Sequence, residues 1–77
     1  MLFMFEVYCR SSKDEVREKM LTEQVAGLGG KLEFLELHGP TGEAVCLTFG
    51  FGNKETANQA AEVLRLQNEH VEGPYDY

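Results

Sequence analysis

The side chains that could carry chemistry are two cysteines, two histidines and a set of glutamates. Cys9 is the one candidate nucleophile, because it precedes a predicted helix N-terminus, where exposed N–H groups can stabilise a thiolate. No histidine is placed to accept its proton, so a buried structural thiol is the stronger interpretation. Cys46 is predicted to face the other side of the sheet, and we therefore expect no disulfide between the two.

His38 and His70 are predicted to lie on the two edge strands of the sheet, about three strand spacings or ~14 Å apart. Metal bonds of about 2 Å cannot span that distance within one chain. The glutamates of the predicted helices are expected to be exposed to solvent, and no pair of them can be assigned as a catalytic acid and base. We expect no metal, no cofactor and no catalytic residue, so the protein is predicted not to be an enzyme.

These side chains must be positioned by strands and helices that alternate along 77 residues. Residues 2–9 alternate as a first strand, with Phe3, Phe5, Val7 and Cys9 on one face. Ser11 and Ser12 supply N-cap signals for a first helix. Its apolar positions recur at helical spacing, at Val16, Met20, Leu21, Val25 and Leu28.

A hairpin is predicted next, with strands over 31–37 and 44–51 and the turn residues His38-Gly-Pro-Thr-Gly between them. Pairing His38 with Glu43 places Phe34 opposite Leu47 and Leu32 opposite Phe49 on the core face. The other face then pairs Leu37 with Ala44, Leu35 with Cys46 and Glu33 with Thr48.

A second helix is predicted after Asn53, which is a suitable N-cap residue. Its small apolar stripe consists of Ala57, Ala60, Ala61 and Leu64. A short last strand is expected over about residues 70–73, and the proline at the start of the tail 74–77 discourages further pairing.

Two right-handed crossovers around a hairpin give a split βαβ arrangement. The predicted fold class is α+β: a ferredoxin-like βαββαβ sandwich with an antiparallel sheet ordered 4-1-3-2 and both helices on one face. The chain is short enough for a single domain over 1–77. This fold hosts many unrelated functions and therefore selects none.

The sheet face away from the helices is predicted to be too apolar for simple solvation. Leu2, Met4, Tyr8, Leu35, Leu37, Ala44 and Cys46 should gather there beside Glu6, Glu33 and Thr48. Such a patch marks an interface or a ligand groove. We expect Met4, Tyr8, Leu35, Leu37 and Cys46 to form the interface of a homodimer or of a complex with another protein. The alternative is that the C-terminal tail covers this face.

Thirteen acidic and seven basic residues give a net charge of −6, and the basic residues are scattered. Nucleic acid is therefore not an expected partner. When the chain is laid on the RNA-recognition motif, the stacking positions of the third strand fall on Ala44 and Cys46, and Phe49 and Phe51 fall in the core. The chain has no apolar run long enough for a membrane span, and a cytoplasmic location is predicted.

Residues 28–64 resemble part of an ACT domain, a small-molecule-sensing module. The resemblance lies in the run Leu28-Gly-Gly-Lys-Leu-Glu-Phe-Leu35, the return strand, and Glu55, Ala57, Ala60 and Leu64 of the second helix. It implies pairing of domains and a bound amino acid near the loop after the first strand, often at a glycine. Here that loop is Arg10-Ser-Ser-Lys13, which lacks the glycine. A regulatory domain that binds a small molecule is therefore the alternative function.

Overall fold

The computed structural model describes residues 2–9, 15–38 and 44–76. In chain order they form strand β1 (Phe3–Cys9), helix α1 (Glu15–Gly27), strands β2 (Lys31–His38) and β3 (Ala44–Phe51), helix α2 (Lys54–Leu66) and strand β4 (His70–Asp76). The predicted order of elements is confirmed. The turn of the hairpin and the cap residues Ser11 and Ser12 lie outside the described residues.

The four strands form one antiparallel sheet in the order β2-β3-β1-β4. This is the predicted order seen from the opposite edge. β3 and β1 occupy the centre, and their register runs without interruption from Phe3 opposite Phe51 to Cys9 opposite Val45. The two central strands therefore provide a regular platform, whereas β2 and β4 are the edges.

One side of the sheet carries the hydrophobic core. Buried residues of both helices share a single cluster with alternate residues of the central strands. The cluster comprises Phe5, Val7, Leu21, Val25, Val45, Leu47, Phe49, Phe51, Ala57, Ala60, Ala61 and Leu64. Because successive side chains of a strand point to opposite faces, the residues between these strand positions form a second face.

Helix α2 forms as its sequence predicts. The Oδ1 atom of Asn53 accepts a hydrogen bond from the N–H of Thr56 at 3.1 Å, which caps the first turn. Its four predicted apolar residues are all fully buried. In the last turn, the guanidinium of Arg65 donates to the carbonyl oxygens of Val71 at 3.4 Å and Gly73 at 2.6 Å. The helix thereby holds β4 in place.

Helix α1 buries less of its surface than the predicted apolar stripe implies. Leu21 and Val25 are buried and Leu28 is partly buried, but Val16 and Met20 are exposed. The buried residues lie within about 40° of one another around the helix axis, whereas Val16 and Met20 fall ~100–140° away from Leu21 at 100° per residue. The spacing identified the helix correctly but extended its buried side too far.

Strand β2 contains a β-bulge that the predicted register lacks. Leu32 lies opposite Phe49 as predicted, but Glu33 is an extra residue without a partner, and Phe34 lies opposite Thr48. The predicted pairing of Phe34 with Leu47 is therefore wrong. After a bulge, every later side chain of the strand points to the face opposite the one that it would occupy in a regular strand.

The pairs beyond the bulge are shifted by one residue. Leu35 lies opposite Leu47, Leu37 opposite Val45, and His38 opposite Ala44. The predicted partners of these three residues are wrong.

Strand β4 is longer than predicted and continues through the proline to Asp76. Glu72 lies opposite Glu6 and Tyr75 opposite Met4, so β4 uses two residues, Gly73 and Pro74, where β1 uses one. Proline is tolerated at such a position because it lies on an edge strand. Residues 74–76 therefore add to the sheet and do not fold across its face.

Candidate binding face

We call the sheet surface opposite the core the open face. Its residues alternate with the core positions along the four strands, and the two helices contribute no buried residue to it. Its described side chains are Met4, Glu6 and Tyr8 of β1, Lys31, Phe34 and Glu36 of β2, Ala44, Cys46 and Thr48 of β3, and His70, Glu72 and Tyr75 of β4, and Gly50 of β3 lies between them.

Three of the five predicted interface residues lie together on the open face. Met4 and Cys46 are buried in its floor, and Tyr8 is 37% exposed above them. Leu35 and Leu37 were expected beside these residues, and this placement is wrong. The bulge turns both leucines to the core side of β2, where they remain exposed near the edge of the sheet.

The centre of the open face is a hydrogen-bonded group around Glu6. The hydroxyl of Tyr8 donates to Oε2 of Glu6 at 3.3 Å, and the thiol of Cys46 donates to the same oxygen at 3.5 Å. Burial, the Cys46 thiol and the Glu6 carboxylate raise the pKa of Tyr8 to about 12. Burial and the same carboxylate raise the pKa of Cys46 to about 11. Both groups therefore remain protonated donors at neutral pH.

Raising the pH above 9.0 is expected to lower the free energy of unfolding. In the folded chain Cys46 ionises near 11 and Tyr8 near 12, whereas their ordinary pKa values are 9.0 and 10.0. Above those ordinary values the unfolded chain is stabilised by ionisation and the folded chain is not, so stability present below pH 9.0 is lost as the pH rises.

Urea midpoints measured across this pH range check the expectation. Cys46→Ala is the matched variant, and its stability should fall less steeply above pH 9.0, because only Cys9 and Tyr8 then resist ionisation in the folded chain. Identical alkaline slopes in the two proteins would contradict the role of Cys46.

Sequence analysis missed several residues of the open face, among them Phe34, His70, Glu72 and Tyr75. Phe34 is 56% exposed and Tyr75 is 48% exposed, so both present aromatic surface to solvent. The sequence signal for Phe34 was its apolar neighbour Leu35. Two neighbouring residues of a strand point to opposite faces, so one of these two apolar side chains had to lie on the open face. The signal for Tyr75 was the Gly-Pro pair before it, which is compatible with a bulge in an edge strand.

A cavity of about 480 Å³ lies at one end of the open face. Its lining combines two carboxylates, two tyrosines and a histidine with a small apolar surface. These residues are Glu6, Glu72, Tyr8, Tyr75 and His70, with Ala44 and Cys9. The rings of Tyr8 and His70 meet edge to face, with centroids 5.7 Å apart.

The cysteines do not have the properties of a nucleophile. Cys9 lies on the core side and Cys46 on the open face, and both are free, as predicted. Burial raises the pKa of the Cys9 thiol, although the nearby Arg17 acts in the opposite direction. An activated thiolate requires a lowered pKa. Within the described residues, no group of three or more His, Cys, Asp or Glu side chains could hold a metal ion.

Neither the family models nor the curated proteins that were searched match this chain. The topology agrees with a ferredoxin-like arrangement, but no family is identified, and the resemblance to ACT domains stays a prediction from the sequence. The loop of residues 10–13, where that resemblance places an amino acid, lies outside the described residues. In the described part of the chain, no helix is long and apolar enough to cross a membrane.

The aromatic positions of the sheet differ from those of an RNA-recognition motif. Phe49 and Phe51 are buried in the core, as predicted, and Ala44 and Cys46, the residues predicted at the stacking positions of that motif, lie on the open face. The exposed aromatic residues of the open face lie instead on β1, β2 and β4, next to glutamates. Carboxylates at this density repel a phosphate backbone.

Proposed function

We propose that this chain is a non-catalytic binding domain that docks a protein partner on its open face. One observation carries the proposal: Tyr8, Phe34 and Tyr75 are exposed on a sheet surface to which the helices contribute no buried residue. Exposed aromatic side chains above a buried floor are typical of binding surfaces, where they provide a large apolar area at low entropic cost.

The charge of the open face favours a different protein over a second copy of the chain. Glu6, Glu36 and Glu72 lie on this surface. A face-to-face homodimer would bury the carboxylates of both copies in one interface, and like charges brought together at an interface cost several kcal/mol. Homodimerisation, which the sequence also suggested, is therefore the less favoured form of the proposal.

Two further predictions from the sequence remain part of the proposal. The raised thiol pKa of Cys9 supports a domain without a catalytic nucleophile. Two unpaired cysteines support a reducing compartment and hence a cytoplasmic location. A small-molecule regulatory role has no support of its own in the described residues and remains the alternative.

Phe34→Glu is expected to weaken partner binding at least ~10-fold, because it replaces an exposed aromatic side chain of this surface by a charge. Val16→Glu on α1 is the matched control, since Val16 is also an exposed apolar residue but lies in the helical layer. Immobilised wild type and both variants would be compared for retention of partner protein from an extract of the source cells. Sedimentation equilibrium of the purified chain should show a monomer.

The two measurements separate the alternatives. A dimer that Phe34→Glu dissociates would identify the partner as a second copy of the chain. Loss of retention in Val16→Glu, with normal retention in Phe34→Glu, would move the binding surface to the helical layer and refute the proposal. Circular dichroism of both variants excludes unfolding as the cause.

A further inference from the structure

Two glutamates face each other across the strands at the edge of the open face. Glu6 of β1 is the direct partner of Glu72 of β4 in the sheet register. Side chains at such positions have Cβ atoms about 5 Å apart, and like charges there destabilise a sheet. A cation between the two carboxylates would remove this repulsion.

The chain offers little compensation for these charges. In the described part of the chain, Glu72 contacts His70, whose Nε2 lies 3.1 Å from Oε1 of Glu72. Among the described residues, Glu6 receives only the neutral donors of Tyr8 and Cys46, both on Oε2. The arginines described are engaged elsewhere, Arg17 with Glu69 and Arg65 with carbonyl oxygens of β4.

The cavity beside these carboxylates has walls that suit a cation with an apolar stem. Tyr8 and Tyr75 line it, and the face of a tyrosine ring attracts cations. Ala44 adds apolar surface. The volume of about 480 Å³ exceeds that of one side chain, so the cavity has room for neighbouring atoms of a peptide as well.

We propose that this cavity receives an arginine side chain from a basic segment of the partner protein. This inference rests on the proposed function and specifies the chemistry of its partner. Arginine suits the site better than lysine because its planar guanidinium stacks on aromatic rings and has five donors for two carboxylates. Lysine has a compact, strongly hydrated charge, so it could neutralise the carboxylates but could not stack on the tyrosine rings as a planar group.

The probe is a capped pentapeptide with one central arginine between glycine and serine residues, titrated into isotopically labelled protein and followed by amide chemical shifts. The control peptide contains citrulline, which has nearly the shape of arginine but no charge. We expect the arginine peptide to bind with a Kd of about 1 mM, as befits a single anchoring side chain. Shifts should be confined to residues 4–9, 44–46 and 70–75.

Glu72→Gln keeps the shape of the side chain and removes one of the two charges. It should weaken the arginine peptide at least ~5-fold, because charge-assisted hydrogen bonds are about twice as strong as neutral ones. Glu62→Gln, an equal change of net charge on the exposed side of α2, should leave the affinity unchanged. Glu72→Gln should also raise the urea midpoint of the free protein, since it relieves the repulsion.

Equal binding of the citrulline peptide, equal weakening by Glu62→Gln, or shifts elsewhere in the chain would overturn the inference. So would the absence of shifts at peptide concentrations well above the expected Kd. If the peptide fails but Phe34→Glu still reduces partner retention, the proposed function stands and only the arginine site is refuted. If the peptide binds and Phe34→Glu has no effect on retention, the arginine site stands, but the proposed docking surface does not extend from the cavity to Phe34.

Discussion

Replacing Gly30 by alanine is expected to lower the free energy of unfolding by about 3 kcal/mol, at the upper end of the range for overpacked cores. A Cβ atom at Gly30 would lie 2.4 Å from Cζ and 2.5 Å from Cε2 of Phe51. The Phe51 ring cannot withdraw, because it is buried and stacked on Phe5 with centroids 5.4 Å apart. Chemical denaturation would measure the loss, which is a large share of the roughly 4–12 kcal/mol expected for a domain of this size.

Gly27→Ala is the matched control for this prediction. Gly27 is the last residue of α1, and a Cβ atom there would have no neighbour within 4 Å. Alanine reduces the entropy of the unfolded chain, so this change should be neutral or stabilise by about 0.5 kcal/mol. Similar losses in the two variants would show that close packing against Phe51 is not the reason for glycine at position 30.

Replacing Phe49 by alanine is expected to cost about 3–5 kcal/mol, the usual range for truncating a buried phenylalanine. Phe49 lies on a central strand, is fully buried, and packs against the ring of Phe5 at a centroid distance of 5.8 Å. The cavity left behind would border the inner faces of the sheet and both helices. We expect a domain of this size to be largely unfolded by this change at physiological temperature.

Phe34→Ala is the informative counterpart, because the regular alternation of β2 predicts Phe34 in the core beside Leu47. The bulge places it on the open face at 56% exposure, so truncation should cost less than about 1 kcal/mol. Urea denaturation of both variants would measure the difference. A cost for Phe34→Ala close to that for Phe49→Ala would contradict the bulge and restore the regular register.

The sequence predicted the fold wherever a single local signal was sufficient. The alternation of β1, the Asn53 cap and the alanine stripe of α2 each allow one solution, and the structure confirms them. The register between β1 and β3 was not predicted, because alternation assigns residues to faces but does not determine which residues of two strands lie opposite each other.

The candidate site was only partly predictable because it depends on two bulges. In β2 the apolar residues 32, 34, 35 and 37 do not fit one alternating pattern. The sequence analysis placed residues 32 and 34 on the core face and therefore placed residues 35 and 37 on the opposite face. The structure instead inserts Glu33 and turns Leu32, Leu35 and Leu37 to the core side. The choice between these two registers depends on how the side chains pack in the folded protein, which the pattern of residues along one strand does not show.

The same two irregularities affect whether a strand of another chain can pair with the edges of the sheet. An incoming strand needs a straight row of unpaired N–H and C=O groups, and Glu33 interrupts that row on β2. On β4, Pro74 has no N–H to donate, and two carbonyl oxygens already accept from Arg65. Strand addition is thus discouraged at both edges of the sheet, so the proposed partner is expected to contact the open face through a helix or a loop and not through an added strand.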